Sequence, residues 1–198
     1  MTTDTVLTPG FHEDWYSAAQ QEALARLARQ TVERRIPGAF VEVGCWEGRS
    51  TIAIANAIWP AQLRCVDHWL GDLDDPRKGG VTQELAASRP VYQQFIVNMD
   101  AHTRGNYAVY RMDWQSFIAL SSAPKLFAFV HIDGSHDRTS VRKNLEAFLP
   151  HMSPGAVFCG DDWLQHDVRH GVLDVFPAHQ VHTGQQVGCP QFWWTTLE

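Results

Sequence analysis

The sequence has 198 residues, of which 44% are hydrophobic and 19% are charged, as is typical of a globular protein with its own buried core. The formal net charge of −6 at pH 7 argues against a nucleic-acid partner, and the apolar runs are too short to span a bilayer. The first residues lack a signal-peptide pattern, and the four cysteines form no CxxC pair. We therefore expect a single cytoplasmic domain over residues 1–198, with neither a nucleic-acid nor a membrane partner.

Helical and strand patterns alternate along the chain. An N-terminal helical segment, residues 1–37, carries a helix at 11–35, and further helices are predicted from residue 50 and at 91–99, 114–120 and 139–149. Apolar runs predict strands at residues 39–43, 63–66, 107–111, 126–132 and 156–159, the last after a turn at 153–155. Segments 172–176 and 192–196 indicate a last helix and late strands with an antiparallel closing strand. This order predicts an α/β, Rossmann-like, doubly wound and mostly parallel sheet.

Two glycines bracket the turn after the first strand. Gly44 and Gly48 let the backbone approach a ligand, and Ser50 and Thr51 are predicted N-caps of the next helix. Asp67 ends the second strand, 23 residues beyond Gly44, where an acidic side chain of a doubly wound sheet can accept hydrogen bonds from a ribose. The spacing predicts a site for a cofactor that contains a nucleoside.

Aspartates follow four of the predicted strands. Because the carboxyl ends of parallel strands meet at one edge of a sheet, we expect these side chains along a single rim: Asp67, Asp113, Asp133, Asp161 and Asp162. Neighbouring carboxylates disfavour joint ionisation, and a hard cation such as Mg²⁺ relieves this. We assign Asp133, Asp161 and Asp162 to one Mg²⁺, which would hold a substrate hydroxyl and lower its pKa.

Two histidines also follow these strand ends. His136, three residues after Asp133, is predicted to act as a general base, because an imidazole titrates near neutral pH. Asp133 and His136 are therefore the predicted catalytic residues, and His68 is predicted to contact the ligand. Segment 70–105 is longer than a simple connection, and we interpret it as a lid insertion over the site.

Four motifs occur in order between residues 39 and 163: VEVGCWEGRST, CVDHW, FVHIDGSHD and FLPHMSPGAVFCGDDW. Together they resemble the class I S-adenosylmethionine-dependent methyltransferases, and more narrowly the metal-dependent O-methyltransferases of the macrocin type. The resemblance implies S-adenosyl-L-methionine as cofactor, Mg²⁺ as the metal, and an acceptor hydroxyl on a small molecule such as a sugar, glycoside or phenolic natural product.

The resemblance also implies contacts with the cofactor. Glu42 and Gly44 would lie against its methionine part, and Asp67 would hold its ribose. Asp113 and Trp114 would border its adenine. The complete predicted set of cofactor-binding residues is Glu42, Gly44, Gly48, Arg49, Ser50, Asp67, His68, Asp113, Trp114 and Asp133.

Other functions are compatible with parts of this pattern. A metal-independent class I methyltransferase that acts on nitrogen or a carboxylate would share the cofactor site. An NAD-dependent dehydrogenase would use the glycine turn and Asp67, but it would leave the aspartate set without a role. A binding protein with this fold would retain the cofactor without turnover. The sequence leaves the oligomeric state open, a homo-oligomer included.

Overall fold

A computed structural model describes residues 7–73, 79–120, 126–185 and 188–198. Its strands are β1 Ala39–Val43, β2 Leu63–Asp67, β3 Tyr107–Arg111, β4 Phe127–Ile132, β5 Met152–Gly160, β6 His182–Gly184 and β7 Cys189–Thr196. Its α-helices are α1 Ala18–Glu33, α2 Arg49–Ile58, α3 Gly79–Ser88, α4 Val91–His102, α5 Trp114–Ala119, α6 Arg138–Phe148 and α7 His166–Leu173. Among these described helices, none is both long and apolar enough to cross a membrane.

The strands form one sheet in the order β3-β2-β1-β4-β5-β7-β6. The first five strands pair in parallel, and β7 runs antiparallel to both of its neighbours. The predicted doubly wound, mostly parallel sheet is therefore confirmed. The antiparallel strand is not the outermost one, because β6 lies beyond it at the edge.

Helices cover both faces of the sheet, since the parallel strands are apolar on both faces. One core cluster joins α1, α2 and α4 to the sheet through residues such as Leu24, Ile54 and Phe95. The other cluster joins α5, α6 and α7 to the opposite face through Phe117 and Leu145, among others. This arrangement places the carboxyl ends of the parallel strands at one edge, which is where the candidate site lies.

Helix starts differ from the predictions for local reasons. Helix α1 begins at Ala18 rather than at residue 11, because Ser17 and Gln20 form a reciprocal capping box that fixes its first turn. Helix α2 begins at Arg49, with Gly48 in the left-handed region as its N-cap, so Ser50 lies inside the helix.

The predicted turn at 153–155 is part of β5, which pairs with β4 through a register shift.

Segment 70–105 contains two helices, of which only α4 was predicted. Helix α4 buries Val91, Phe95 and Met99 in the core, so that part of the predicted lid belongs to the packed fold. Helix α3 contributes Thr82 to the lining of the cavity described below. Residues 74–78 of the predicted polar loop lie outside the described part of the chain, and a closing movement of the segment stays a prediction.

Candidate functional site

A cavity of about 840 Å³ lies at the carboxyl edge of the parallel strands. The predicted convergence of strand-end aspartates is confirmed, because all five of them line this cavity. The site residues named from the sequence that line it are Gly44, Arg49, Ser50, Asp67, His68, Asp113, Trp114, Asp133, His136, Asp161 and Asp162. Two predicted cofactor residues, Glu42 and Gly48, are not among the lining residues.

The backbone at Gly44 closely approaches the end of β4. Gly44 has a φ of +87°, and a Cβ at this position would lie 2.3 Å from the carbonyl oxygen of Asp133. The Gly44 N–H donates to the carbonyl of Val66, and the Asp133 N–H donates to the carbonyl of Val43. Only glycine fits here. The glycine turn is therefore packed directly against the backbone of Asp133, the predicted metal ligand at the end of β4.

Asp67 is bonded to the turn itself. Its Oδ2 accepts hydrogen bonds from the backbone N–H groups of Cys45 and Trp46 at 2.8 and 3.0 Å, and its Oδ1 accepts one from the Trp69 N–H at 2.6 Å. The carboxylate therefore fixes the conformation of the glycine turn. It also faces the cavity, and its predicted contact with a ribose stays a prediction.

The remaining predicted cofactor residues lie around the same end of the cavity. Asp113 caps α5 by accepting a hydrogen bond from the Ser116 N–H at 2.7 Å, and this backbone bond lowers the pKa of its carboxyl group. His68 accepts a hydrogen bond from the Leu70 N–H at 3.0 Å through Nδ1. Trp114 begins α5 beside Asp113, where its indole forms part of the wall.

Glu42 is buried within the sheet rather than exposed to the cavity. Its Oε1 lies 3.0 Å from Nδ1 of His131, the neighbouring residue across β1 and β4, and both side chains are completely inaccessible to solvent. Its pairing with His131 explains how a carboxylate is tolerated in an apolar strand. The sequence showed both residues but not that they are neighbours.

One group of side chains has the geometry to hold a metal ion. One ligand atom from each of Asp133, His136 and Asp162 lies within 4.8 Å of the others. Asp161 is not in this group, because its Oδ1 accepts a hydrogen bond from Nε2 of Gln20 at 2.7 Å. This group shares Asp133 and Asp162 with the predicted ligand set of Asp133, Asp161 and Asp162, which stays a prediction.

His136 is held by two carboxylates. Its Nε2 lies 2.8 Å from Oδ2 of Asp162, and its Nδ1 lies 2.8 Å from Oδ2 of Asp72. Burial disfavours the charged ring, but the bonds to Asp162 and Asp72 outweigh it and raise the pKa of His136 to about 10. In the metal-free protein His136 is therefore an imidazolium, which compensates part of the negative charge. Asp72 was missed in the sequence because it lies in a loop without a motif.

Two aspartates of this rim, Asp133 and Asp161, carry unfavourable charge. Burial, reinforced by the charges of Asp161 and Asp162, raises the pKa of Asp133 well above its ordinary value. Burial and the charge of Asp162 raise the pKa of Asp161 to about 6. Carboxylate oxygens placed where anionic charge is costly are the donors that a hard divalent cation takes. These residues fit a cation, and the open backbone at Gly44 fits a cofactor.

The pKa of His136 makes the stability of the metal-free protein depend on pH. A group whose pKa is higher in the folded than in the unfolded state stabilises the folded protein at pH values below its unfolded pKa, about 6.5 for histidine. This contribution is lost as the pH rises through the folded-state pKa. We therefore expect His136→Gln to lower the melting temperature of EDTA-treated protein most below about pH 6.5, with the difference shrinking toward pH 10. Thermal unfolding across this range checks it, with exposed His179→Gln as control. A constant difference would contradict it.

An N-terminal segment forms one wall of the cavity, although it was not predicted from the sequence to belong to the site. Residues 10–16, here called the strap, contribute four lining side chains: Phe11, Glu13, Trp15 and Tyr16. Glu13 accepts hydrogen bonds from Nε1 of Trp46 at 3.0 Å and from the guanidinium of Arg89. The S-x-x-Q capping box at Ser17 is the sequence signal that could have placed the start of the helix after the strap.

Arg49 ties the strap to the start of α2. Its Nη1 donates to Oδ1 of Asp14 at 2.8 Å, and its guanidinium lies 4.6 Å from the centre of the Phe11 ring. Ser50, the next residue, is buried in the cavity wall. In the structure Arg49 holds the strap in place, and its predicted contact with the cofactor stays a prediction.

The family is shown by sequence. Residues 41–163, more than half of the chain, match a family model described as a methyltransferase domain. A comparison with curated protein sequences found no match. The family match supports the predicted methyltransferase over the dehydrogenase alternative.

Solved structures show the same fold. The O-methyltransferase NovP aligns with a TM-score of 0.63 at 17% identity, covering 90% of this chain and 79% of NovP. CalS11, a TDP-rhamnose 3′-O-methyltransferase of calicheamicin biosynthesis, aligns with a TM-score of 0.60 at 14% identity, covering 91% and 80%. TomG of Streptomyces achromogenes, in complex with S-adenosylmethionine, aligns with a TM-score of 0.57 at 16% identity, covering 91% and 80%.

At these identities the structural likeness shows the fold alone, whereas the family match covers the glycine turn and the acidic rim together. The family match confirms the methyltransferase predicted from the motifs, and the solved structures confirm its fold. This chain belongs to the methyltransferase-domain family.

Proposed function

We propose that this protein transfers the methyl group of S-adenosyl-L-methionine to a hydroxyl of a small molecule, and that it uses a divalent cation, Mg²⁺, to do so. The observation that carries the proposal is the placement of Asp133, His136 and Asp162 in the same cavity as the glycine turn. A cofactor on the turn and an acceptor at the acidic group would be neighbours. Sugars, glycosides and phenolic natural products are the proposed acceptors, and the names of NovP and CalS11 support O-methylation.

The cation would be held by Asp133 and Asp162, with His136 as the third group within reach. When bound, a divalent cation supplies positive charge that lowers the pKa of an acceptor hydroxyl. The backbone of Asp133 is held in place by its neighbours. The Asp133 backbone is bonded to β1, and its carbonyl lies against Gly44, so it has little room to move.

His136 is the proposed proton acceptor. Its raised pKa comes from its bonds to Asp162 and Asp72, so release from Asp162 would bring the pKa down toward the range where an imidazole accepts a proton. Asp72 would keep Nδ1 protonated and leave Nε2 to take the proton of the acceptor hydroxyl. Asp72 is itself almost completely buried, which favours one fixed orientation of the ring.

The opposite end of the cavity would hold the nucleoside part of the cofactor. The cofactor brings an electrophilic methyl group, so the protein has to align it with the acceptor and keep water out. Asp67 and Asp113 offer carboxylate oxygens there, and Trp114 offers an aromatic wall. The strap would exclude water, since Glu13 and Trp15 cover the turn that carries Trp46.

Calorimetry with purified protein is the first test. We expect S-adenosylmethionine and S-adenosylhomocysteine to bind, and NAD not to bind. Binding of NAD without the other two would contradict the cofactor assignment. Methyl transfer is then measured with catechol, phenolic and glycosidic acceptors, after EDTA treatment and after Mg²⁺ is restored.

We expect turnover to be lost with EDTA and recovered with Mg²⁺. Turnover that persists in EDTA on amine or carboxylate acceptors would favour the metal-independent alternative. Binding without turnover on any acceptor would favour a cofactor-binding protein without catalysis. The cytoplasmic location and the absence of macromolecular partners stay predictions.

A further inference from the structure

A buried chain of polar side chains leads from the sheet to the cavity. Glu42 Oε1 lies 3.0 Å from Nδ1 of His131, and the Tyr16 hydroxyl lies 3.5 Å from Nε2 of the same imidazole. The Tyr16 ring meets the His131 ring edge-on, at 6.1 Å between centres and 89° between planes. Glu42 and His131 are inaccessible to solvent, whereas Tyr16 belongs to the cavity wall. The tyrosine is thus the end of the chain that a ligand can reach.

Tyr16 lies between the glycine turn and the acidic rim. The residue before it, Trp15, packs with its ring centre 5.6 Å from that of Trp46 in the turn. Four residues after it, Gln20 donates a hydrogen bond to Asp161 at 2.7 Å. Tyr16 lines the same cavity as the turn and the acidic rim, so a cofactor bound between them would lie near this tyrosine.

The surroundings of the Tyr16 hydroxyl are negative. Burial, followed by the charges of Asp161 and Asp133, raises the pKa of Tyr16 well above its ordinary value, so it stays a neutral phenol. Within the described residues Glu42 Oε2 has no hydrogen-bond partner, so a buried carboxyl oxygen without a donor lies behind the imidazole. A positively charged ligand group gains free energy in this environment, and an anionic one loses it.

The hydroxyl oxygen can also accept a hydrogen bond from a ligand. A phenolic oxygen has two acceptor positions. His131 Nε2 can use one of them at most, and only when that nitrogen carries a proton. In either protonation state of His131, at least one acceptor position is left for the cavity. The imidazole fixes the hydroxyl, and Glu42 in turn fixes the imidazole.

We propose that the Tyr16 hydroxyl, oriented by the His131–Glu42 pair, accepts a hydrogen bond from the α-ammonium group at the methionine end of the cofactor. This rests on the proposed function, because it takes S-adenosylmethionine as the ligand of the cavity. It assigns a cofactor-binding role to a strap residue that lies outside the four sequence motifs. Glu42 then acts through His131 and Tyr16 as a positioning residue, without facing the cavity itself.

Calorimetry on Tyr16→Phe tests the proposal with two ligands. S-adenosylhomocysteine carries the amino-acid end, whereas 5′-methylthioadenosine has the adenosine and the sulfur but lacks that end. Loss of a hydrogen bond to a charged group is expected to weaken binding of S-adenosylhomocysteine by about tenfold or more. Binding of 5′-methylthioadenosine should be unchanged, because the phenylalanine ring keeps the packing against His131.

Tyr107→Phe is the matched control, since its hydroxyl bonds Asp100 at 2.6 Å and does not line the cavity. It should leave both affinities at wild-type values. Unchanged binding of S-adenosylhomocysteine to Tyr16→Phe, or an equal loss for both ligands, would overturn the proposal. Failure of the wild-type protein to bind S-adenosylhomocysteine would instead refute the proposed function, so the two failures are distinguishable.

Discussion

Asp162→Asn is expected to reduce Mg²⁺-dependent methyl transfer by about three orders of magnitude, because a metal ion contributes several kcal/mol of charge stabilisation at such a site. Asp162 belongs to the group that can hold the ion, and its Oδ2 lies 2.8 Å from Nε2 of His136. Its backbone has a φ of +60°, a conformation that asparagine adopts readily, so the variant should fold. The turnover number at saturating acceptor and the Mg²⁺ affinity by calorimetry measure the effect.

Asp161→Asn is the matched comparison for this variant. Asp161 is the adjacent residue and is also acidic, but its carboxylate is bonded to Gln20 and lies outside the metal-binding group. An asparagine can still accept that hydrogen bond, so we expect a much smaller loss of Mg²⁺ affinity. If Asp161→Asn abolished Mg²⁺ binding and Asp162→Asn preserved it, the assignment of the ligands would be reversed.

Gly44→Ala is expected to destabilise the fold by about 3 kcal/mol or more and to prevent cofactor binding. A Cβ at this position would lie 2.3 Å from the Asp133 carbonyl oxygen and 2.7 Å from Cα of Gly134. Both are backbone atoms and cannot rotate away, so the glycine turn and the end of β4 have to separate. The melting temperature should fall by about 10 °C for a chain of this size. Thermal unfolding and calorimetry with S-adenosylhomocysteine measure the two effects.

Gly105→Ala separates the steric effect from the backbone strain. Gly105 also has a positive φ, +73°, but a Cβ there would meet no atom within 4 Å. Its replacement by alanine should lower the free energy of unfolding by only about 1 kcal/mol, because of the strained backbone conformation alone. Equal destabilisation by the two variants would show that contact with Asp133 is unimportant.

The sequence predicted the architecture because its signals are local. Apolar runs placed β1 and β3 at the bounds that the structure has, and the alternation with helices predicted the parallel sheet. Topology then required the strand-end aspartates to share one edge, and all five line the cavity. Gly44 could be recognised for the same reason, since a tight turn after a buried strand allows few backbone conformations and these favour glycine.

The sequence does not predict the direction of a side chain that depends on a distant partner. Two adjacent aspartates follow β5, and nothing local distinguishes Asp161 from Asp162. Gln20, 141 residues away in the chain, draws Asp161 aside and leaves Asp162 to face His136. Asp72 is a similar case, because it becomes part of the site only through the loop that precedes α3.

By itself, the sequence determined the order of the elements, the glycine that the turn requires and the edge at which the acidic residues meet. All three follow from short-range sterics and from the handedness of strand–helix–strand connections. Only the tertiary structure decided that His136 joins Asp133 and Asp162, that the strap closes one wall, and that Glu42 reaches the cavity through His131 and Tyr16. Contacts between segments far apart in the chain settle these points, because burial makes each polar side chain turn toward whichever partner the fold brings within hydrogen-bonding distance.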